Sequence, residues 1–327
     1  MLFRSRGPLA AITVPGTVDA WAEAHQRFGQ LSWTQILQPA IDLAEQGYPV
    51  SSSQARWTQR DCGLLNQYPF AKKVFLPDNQ PPQTGAHIKN PDLARILRLI
   101  AADGRAVFYT GEIAKDICTY LAEIGGILTP EDFAAHHSDW VEPITTQYRG
   151  YTVCELPPNS QGLVVLQILN LIEPFDLQQI GHHTPDYYHL MVEAAKLAFV
   201  DRDRWITDPD FVDIPIEELI SKAYSDRRRA HLDMAQAQTY QPGIIGGDTT
   251  YSAFVDREGN AVSMIQSLYF DYGSGIVPEG MGFVLQNRGA LFSLDAKHIN
   301  RLEPGKRTFH TLIPGLVLNV QGHPYLV

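Results

Sequence analysis

Cysteine is scarce in this chain. Its 3 thiols, Cys62, Cys118 and Cys154, are too few and too far apart for a disulfide framework, and no Cys-x-x-Cys pair offers a zinc or redox site. They read as small apolar residues of a core. One disulfide with a thiol left over stays open, so cysteine usage does not fix the redox compartment. Long apolar runs are also missing. The most apolar stretch, Gly162–Ile172, is short and interrupted by Gln167 and Asn170, which excludes a bilayer span. The start, Met1-Leu2-Phe3-Arg4-Ser5-Arg6-Gly7-Pro8, lacks the hydrophobic core of a secretion signal, making the cytoplasm the default expectation. Positive charge is in deficit. With 26 Lys and Arg against 36 Asp and Glu, the net charge of −10 argues against nucleic acid or an anionic membrane as partner.

Several familiar chemistries are missing too. His182, His183 and His189 flank a helix start without the His-x-x-x-His spacing or the carboxylate of a zinc site. Asp201, Asp203, Asp208 and Asp210 lack the loop glycine of an EF-hand and read as solvated turn carboxylates. Gly273-Ser274-Gly275 is too compact for a nucleophile elbow, and no P-loop or dinucleotide fingerprint follows a strand. No metal and no cofactor are expected.

What is present divides the chain by period. At 327 residues it is long enough for a large core. Ser32-Trp33-Thr34-Gln35 is a capping box, followed by Ile36, Leu37, Ala40, Ile41 and Ala44 on one helical face until Gly47, with Pro39 expected to split the run into two helices. Thr129-Pro130-Glu131-Asp132 opens another helix. Residues 151–156 read as a strand ending in the turn Pro157-Pro158-Asn159-Ser160-Gln161-Gly162. A long helix is expected over about 185–201, with Tyr188, Met191, Ala195, Ala198 and Phe199 inward. From Thr249 the pattern turns to β, with a hairpin over Arg257-Glu258-Gly259-Asn260.

The change of period falls on Gly246-Gly247-Asp248-Thr249-Thr250-Tyr251. A threonine that opens a strand becomes a nucleophile if the bond before it is cut. Its new α-amino group titrates near about 8 and takes the proton of its own hydroxyl. Threonine is equally at home in strands for packing alone, so the pair by itself carries little.

Its neighbours carry more. Asp248-Thr249-Thr250-Tyr251, Val255-Asp256-Arg257-Glu258-Gly259-Asn260-Ala261-Val262-Ser263, Gly273-Ser274-Gly275-Ile276-Val277 and Gly282-Phe283-Val284-Leu285-Gln286-Asn287 follow one another closely. With Val14-Pro15-Gly16-Thr17-Val18-Asp19-Ala20-Trp21, Pro39-Ala40-Ile41-Asp42-Leu43-Ala44, Phe108-Tyr109-Thr110-Gly111-Glu112-Ile113-Ala114 and Gly126-Ile127-Leu128-Thr129-Pro130-Glu131-Asp132-Phe133, the chain resembles the γ-glutamyltranspeptidase (glutathione hydrolase) family. These are N-terminal-nucleophile hydrolases.

The resemblance implies an α+β fold, the αββα sandwich of that class. It implies a large-subunit portion, 1–248, and a small-subunit portion, 249–327, that associate after cleavage between Asp248 and Thr249. Thr249 is the implied nucleophile, and Ser267 stands where a threonine usually orients it. The acyl-side positions depart from the family. Tyr269 replaces an asparagine. Gln286-Asn287-Arg288 replaces Asn-Asn-Gln/Glu. Leu291 replaces the aspartate that holds the glutamyl ammonium, and His310-Thr311 replaces a serine pair. Tyr269, Asn287, Arg288, His310 and Thr311 are thus the expected substrate contacts. Such changes resemble the cephalosporin-acylase-like branch, in which a dicarboxylic acyl group would suit Arg288 better than glutamate does. The family also carries an arginine upstream and an oxyanion-forming Gly-Gly turn downstream, so truncation at both ends is expected. The partner is a small amide, glutathione or another acyl amide. Many members of the family are exported, so the resemblance leaves a periplasmic location open. The readings that follow are a γ-glutamyl-type amidohydrolase, a cephalosporin or glutaryl-amide acylase, and an inert fragment.

Overall fold

The computed structural model describes residues 6–8, 12–238 and 248–327; the turn at Gly246-Gly247 and the start at Met1-Leu2-Phe3-Arg4-Ser5 lie outside them. The chain folds into two compact units. One comprises Met1–Asp139 with Leu268–Ala290, the other Trp140–Ser267 with Leu291–Val327. The stretch after Thr249 therefore contributes to both.

The first unit is helical. Helix α1 (Thr17–Phe28) follows the Val14-Pro15-Gly16 segment, whose Pro15 carbonyl accepts from Tyr109 Oη at 2.7 Å while Asp19 N donates to that same oxygen at 3.0 Å. Asp19 is sealed and paired with Arg105. Burial alone would raise its carboxyl, but hydrogen bonds from Ser138 and Arg105 outweigh that and hold it below the usual range. Helix α2 (Trp33–Gln46) has the expected capping box on Ser32 and Gln35. It is a single helix, not two. Pro39 lies on its exposed face, where water can serve the carbonyl that proline leaves without a donor, while Leu37, Ile41 and Ala44 anchor the buried face. It packs on α3 (Pro91–Asp103), capped by Asn90. Helices α4 (Glu112–Glu123) and α5 (Pro130–Ala135), the latter with its Thr129–Asp132 box, complete the core around Ile113, Ile117, Leu121 and Phe133. The 268–290 stretch adds Ile276, Met281 and Leu285 to that core. It is pinned at Gly282 (φ 70°), where an added Cβ would come within 2.3 Å of Leu93 N, and Asn90 Nδ2 donates to its carbonyl at 2.6 Å.

The second unit pairs helices with an antiparallel sheet. Strands β1 (Ile144–Tyr148) and β2 (Tyr151–Glu155) join through Arg149-Gly150, both at positive φ as a tight hairpin requires. Helices α6 (Gly162–Ile172) and α7 (Pro185–Trp205) pack together. Helix α7 runs past the expected end, and its inner face differs from the expected one. Ala198 is buried as expected, and Met191 and Phe199 pack partly against the clusters, whereas Tyr188 is exposed. The buried face instead carries Leu190, Glu193, Ala194, Leu197, Asp201 and Arg202. Apolar periodicity assigns such charges to water, but here they are paired, Glu193 with Lys196 at 2.6 Å and Asp201 with Arg228 at 3.3 Å. Next comes the hairpin of β3 (Asp248–Val255) and β4 (Ala261–Tyr269), turning at Gly259 (φ 84°). Strands β5 (Leu316–Leu318) and β6 (Pro324–Leu326) then extend the sheet in the order β1-β2-β5-β6.

Of the thiols, Cys118 is buried and pushed up to about 11 by burial, while Cys62 and Cys154 are half-buried; all three are free. No helix among the described residues is long and apolar enough to cross a membrane. Nor do three His, Cys, Asp or Glu side chains among them gather to hold a metal ion.

Candidate active site

The β3–β4 hairpin sets two hydroxyls side by side. Thr249 Oγ1 donates to Ser267 Oγ at 3.2 Å, and farther along the hairpin Tyr251 Oη meets Ser263 Oγ at 3.0 Å. The turn fixes this register. Asn260 N donates to Asp256 Oδ1 at 2.9 Å and Asn260 Nδ2 to Oδ2 at 2.7 Å, so the strands return with Thr249 opposite Ser267. Thr249 is exposed, open to a substrate, and the 248–249 peptide lies in extended strand backbone.

Immediately after Ser267 the chain enters the first unit, where three of the expected acyl contacts gather. Tyr269 is 2% exposed at φ 81°, a left-handed conformation that costs a tyrosine energy and is kept only when neighbours impose it. Asn287 imposes it from both sides. Its N donates to Leu268 O at 3.1 Å, and its Oδ1 accepts from Phe270 N at 3.1 Å. The ring of Tyr269 stacks on Phe270, centroids 4.4 Å apart, and the Arg288 guanidinium lies 5.4 Å from its centroid. Burial pushes the Arg288 guanidinium down to about 10, with Tyr269 acting the other way, and leaves it protonated at neutral pH. Gln286 braces this turn by donating to Thr13 O at 2.7 Å and accepting from Arg288 N.

His310 and Thr311 belong to the second unit and are held by the 157–162 turn. His310 N donates to Asn159 O at 2.9 Å, Gln161 N donates to His310 O at 3.1 Å, and Ser160 Oγ donates to Leu312 O at 2.5 Å. Leu312 N donates to His310 Nδ1 at 3.3 Å, so a neutral ring carries its proton on Nε2. Below this turn Glu155 is 5% exposed, and burial raises its carboxyl to about 7.

The predicted residues thus form three groups: Thr249 with Ser267, Tyr269 with Asn287 and Arg288, and His310 with Thr311. Sequence reading missed Asn159, Ser160 and Glu155. The Pro-Pro-Asn-Ser-Gln-Gly turn was visible as a turn, but nothing in it says what it holds.

Comparison with known proteins identifies the family. The gamma-glutamyltranspeptidase family model matches residues 3–327. The glutathione hydrolase-like YwrD proenzyme of Bacillus subtilis (strain 168) is 45% identical over 313 residues, covering 95% of this chain and 59% of that protein. The acylase ACY 1 proenzyme of Pseudomonas sp. (strain SE83) is 36% identical over 312 residues, covering 94% of this chain and 56% of its own. Among solved structures, the cephalosporin acylase from Bacillus halodurans superposes with a TM-score of 0.90 at 40% identity, covering 98% of this chain and 60% of that one. The α+β, N-terminal-nucleophile class expected from the sequence is the class of these neighbours. In length, this chain spans less than two thirds of each of these relatives.

Proposed function

The chain belongs to the γ-glutamyltranspeptidase family, and from that premise we propose that the whole protein is an amidohydrolase that cuts itself before Thr249 and carries acyl groups on that threonine. In maturation, Thr249 Oγ1 attacks the Asp248 carbonyl and displaces its own nitrogen. Water hydrolyses the resulting ester, leaving a carboxylate on Asp248 and a free α-amine on Thr249. In turnover the amine takes the hydroxyl proton as Oγ1 attacks the substrate amide. The tetrahedral intermediate collapses, and the proton leaves with the departing amine. Water or an acceptor amine then takes the acyl group from the ester. Ser267 orients the nucleophile. The contact between the Thr249 and Ser267 hydroxyls at 3.2 Å is the observation that carries this reading.

A specific observation favours a dicarboxylic acyl group over γ-glutamyl. Arg288 is a buried, charged guanidinium, and Leu291 stands where an acid would hold an ammonium. A fixed cation attracts a carboxylate and repels an ammonium. Glutaryl and related amides are accordingly the proposed substrates, with glutathione a poorer one. Tyr269 and Asn287 beside Arg288 in the first unit, and His310 and Thr311 in the second, are each proposed as further contacts of the acyl group.

The test is a denaturing gel with mass spectrometry of the full-length protein. Two products, one beginning at Thr249, are expected, and Thr249→Ala should leave one intact band. Amide hydrolysis by a protein with an unbroken backbone at 248–249 would overturn the reading.

A further inference from the structure

Two acyl-side positions of the second unit, Leu291 and His310-Thr311, lie at the ends of a stretch with almost no regular structure. Something else must hold them, and one side chain between them does. Asn300 is 1% exposed. Its Nδ2 donates to Leu291 O at 2.9 Å and to Thr308 Oγ1 at 3.1 Å. Its Oδ1 accepts from Phe309 N at 3.1 Å and from Thr207 Oγ1 at 3.2 Å. Both donor hydrogens and both acceptor positions of the amide are therefore used. The same loop is tied to the end of α7, where Asp208 Oδ2 accepts from Arg307 N at 2.7 Å. It is tied again to the 157–162 turn, where Asn159 Nδ2 donates to Thr308 O at 2.7 Å.

We infer that Asn300 is a positioning residue for acyl-group recognition, fixing the backbone at Leu291 and at Phe309-His310 relative to each other within the second unit. The inference rests on the reading of His310-Thr311 as acyl contacts. Only an amide of this length meets all four partners. Aspartate keeps the shape, but it offers no donor to Leu291 O or Thr308 and adds a buried charge. Leucine fills the volume and satisfies none of the four. A displaced binding segment weakens ground-state and transition-state contacts alike. The loss should therefore appear in KM, with kcat and self-cleavage at Thr249 largely retained.

The experiment compares full-length wild type with Asn300→Asp and with the milder Thr308→Val, which removes one of the four partners. Self-cleavage is read on a gel, and KM and kcat on glutaryl-p-nitroanilide. Asn300→Asp should cleave itself yet raise KM by about tenfold or more. Thr308→Val, with its melting point unchanged, should raise KM by a few-fold. If both variants cleave and retain wild-type KM, or if kcat falls at constant KM, the positioning role is overturned while the functional reading stands. If Asn300→Asp does not fold, an unchanged KM in Thr308→Val overturns it. A wild type that neither cleaves nor turns over overturns the functional reading, and this inference with it.

Discussion

Arg288 is a cation largely withdrawn from water, stacked over a tyrosine whose own backbone is held in a conformation that tyrosine avoids. A fixed cation attracts a carboxylate, and a hydrogen bond to a charged group contributes about 1.5–3 kcal/mol. Arg288→Ala is therefore expected to raise KM for a glutaryl anilide by roughly ten- to a hundredfold and to change KM for a γ-glutamyl anilide much less. Parallel titrations of the two substrates check this, and equal losses on both would contradict the assignment. Because the guanidinium is lowered only to about 10, its charge and the substrate preference should persist across neutral pH and fade only in strongly alkaline buffer. Part of the candidate site is legible in the sequence. Thr249 and Ser267 were readable from the motif order, and the two hydroxyls are hydrogen-bonded. The departures at Arg288 and Leu291 were readable as a change of charge. What no pattern announced was the bracing. Asn287 spans Tyr269 through its two neighbours, and Asn300 joins residues eight or nine positions away, through contacts that exist only once the chain is folded.

At the scale of elements, the readable parts were those governed by local chemistry. Ser32 and Thr129 cap helices because their side chains satisfy amides three residues on, a relation that sequence spacing contains entirely. Pro39 and α7 were misread because tertiary surroundings decide them: one sits where water covers the defect, and the other buries charges beside their partners. Glu155, at the end of β2, is a further buried charge carrier, and among the described residues its Oε2 has no hydrogen-bond partner. It lies between two glycines, and a Cβ at Gly162 would come within 2.8 Å of its Cβ, one at Gly315 within 2.8 Å of its Oε1. The fold thus favours the neutral acid. A carboxyl raised from 4.5 to about 7 contributes stability that is fully present below 4.5 and is lost as pH rises toward 7. Between about pH 5 and about pH 8 the urea midpoint of wild type should fall relative to that of Glu155→Gln, which keeps the shape without the charge. Parallel midpoints for the two proteins would show that Glu155 does not titrate in this window.

For the whole molecule, the cut proposed before Thr249 does not follow the division into compact units. The downstream product would own Ile276, Met281 and Leu285, all at most 1% exposed in the main core of the first unit. It would also own β5, paired with β2 through Val153↔Val317 and Cys154↔Leu316, and β6 beyond it. Each unit is therefore built from both products. Burying side chains of this size contributes about 1.5–3 kcal/mol apiece, so after such a cut three of them in one core would hold the pieces together far more firmly than a surface contact would. The expectation is that the mature full-length protein elutes from a sizing column at the same volume as its uncleaved Thr249→Ala form, while showing two bands on a denaturing gel. Its products should separate only in the denaturant range where the fold itself is lost. Ile276→Asp should lower that range in both forms, because it places an unpaired charge in the shared core. Release of the 249–327 product under native conditions would show that these core residues do not bind the halves, and that the association needs another source.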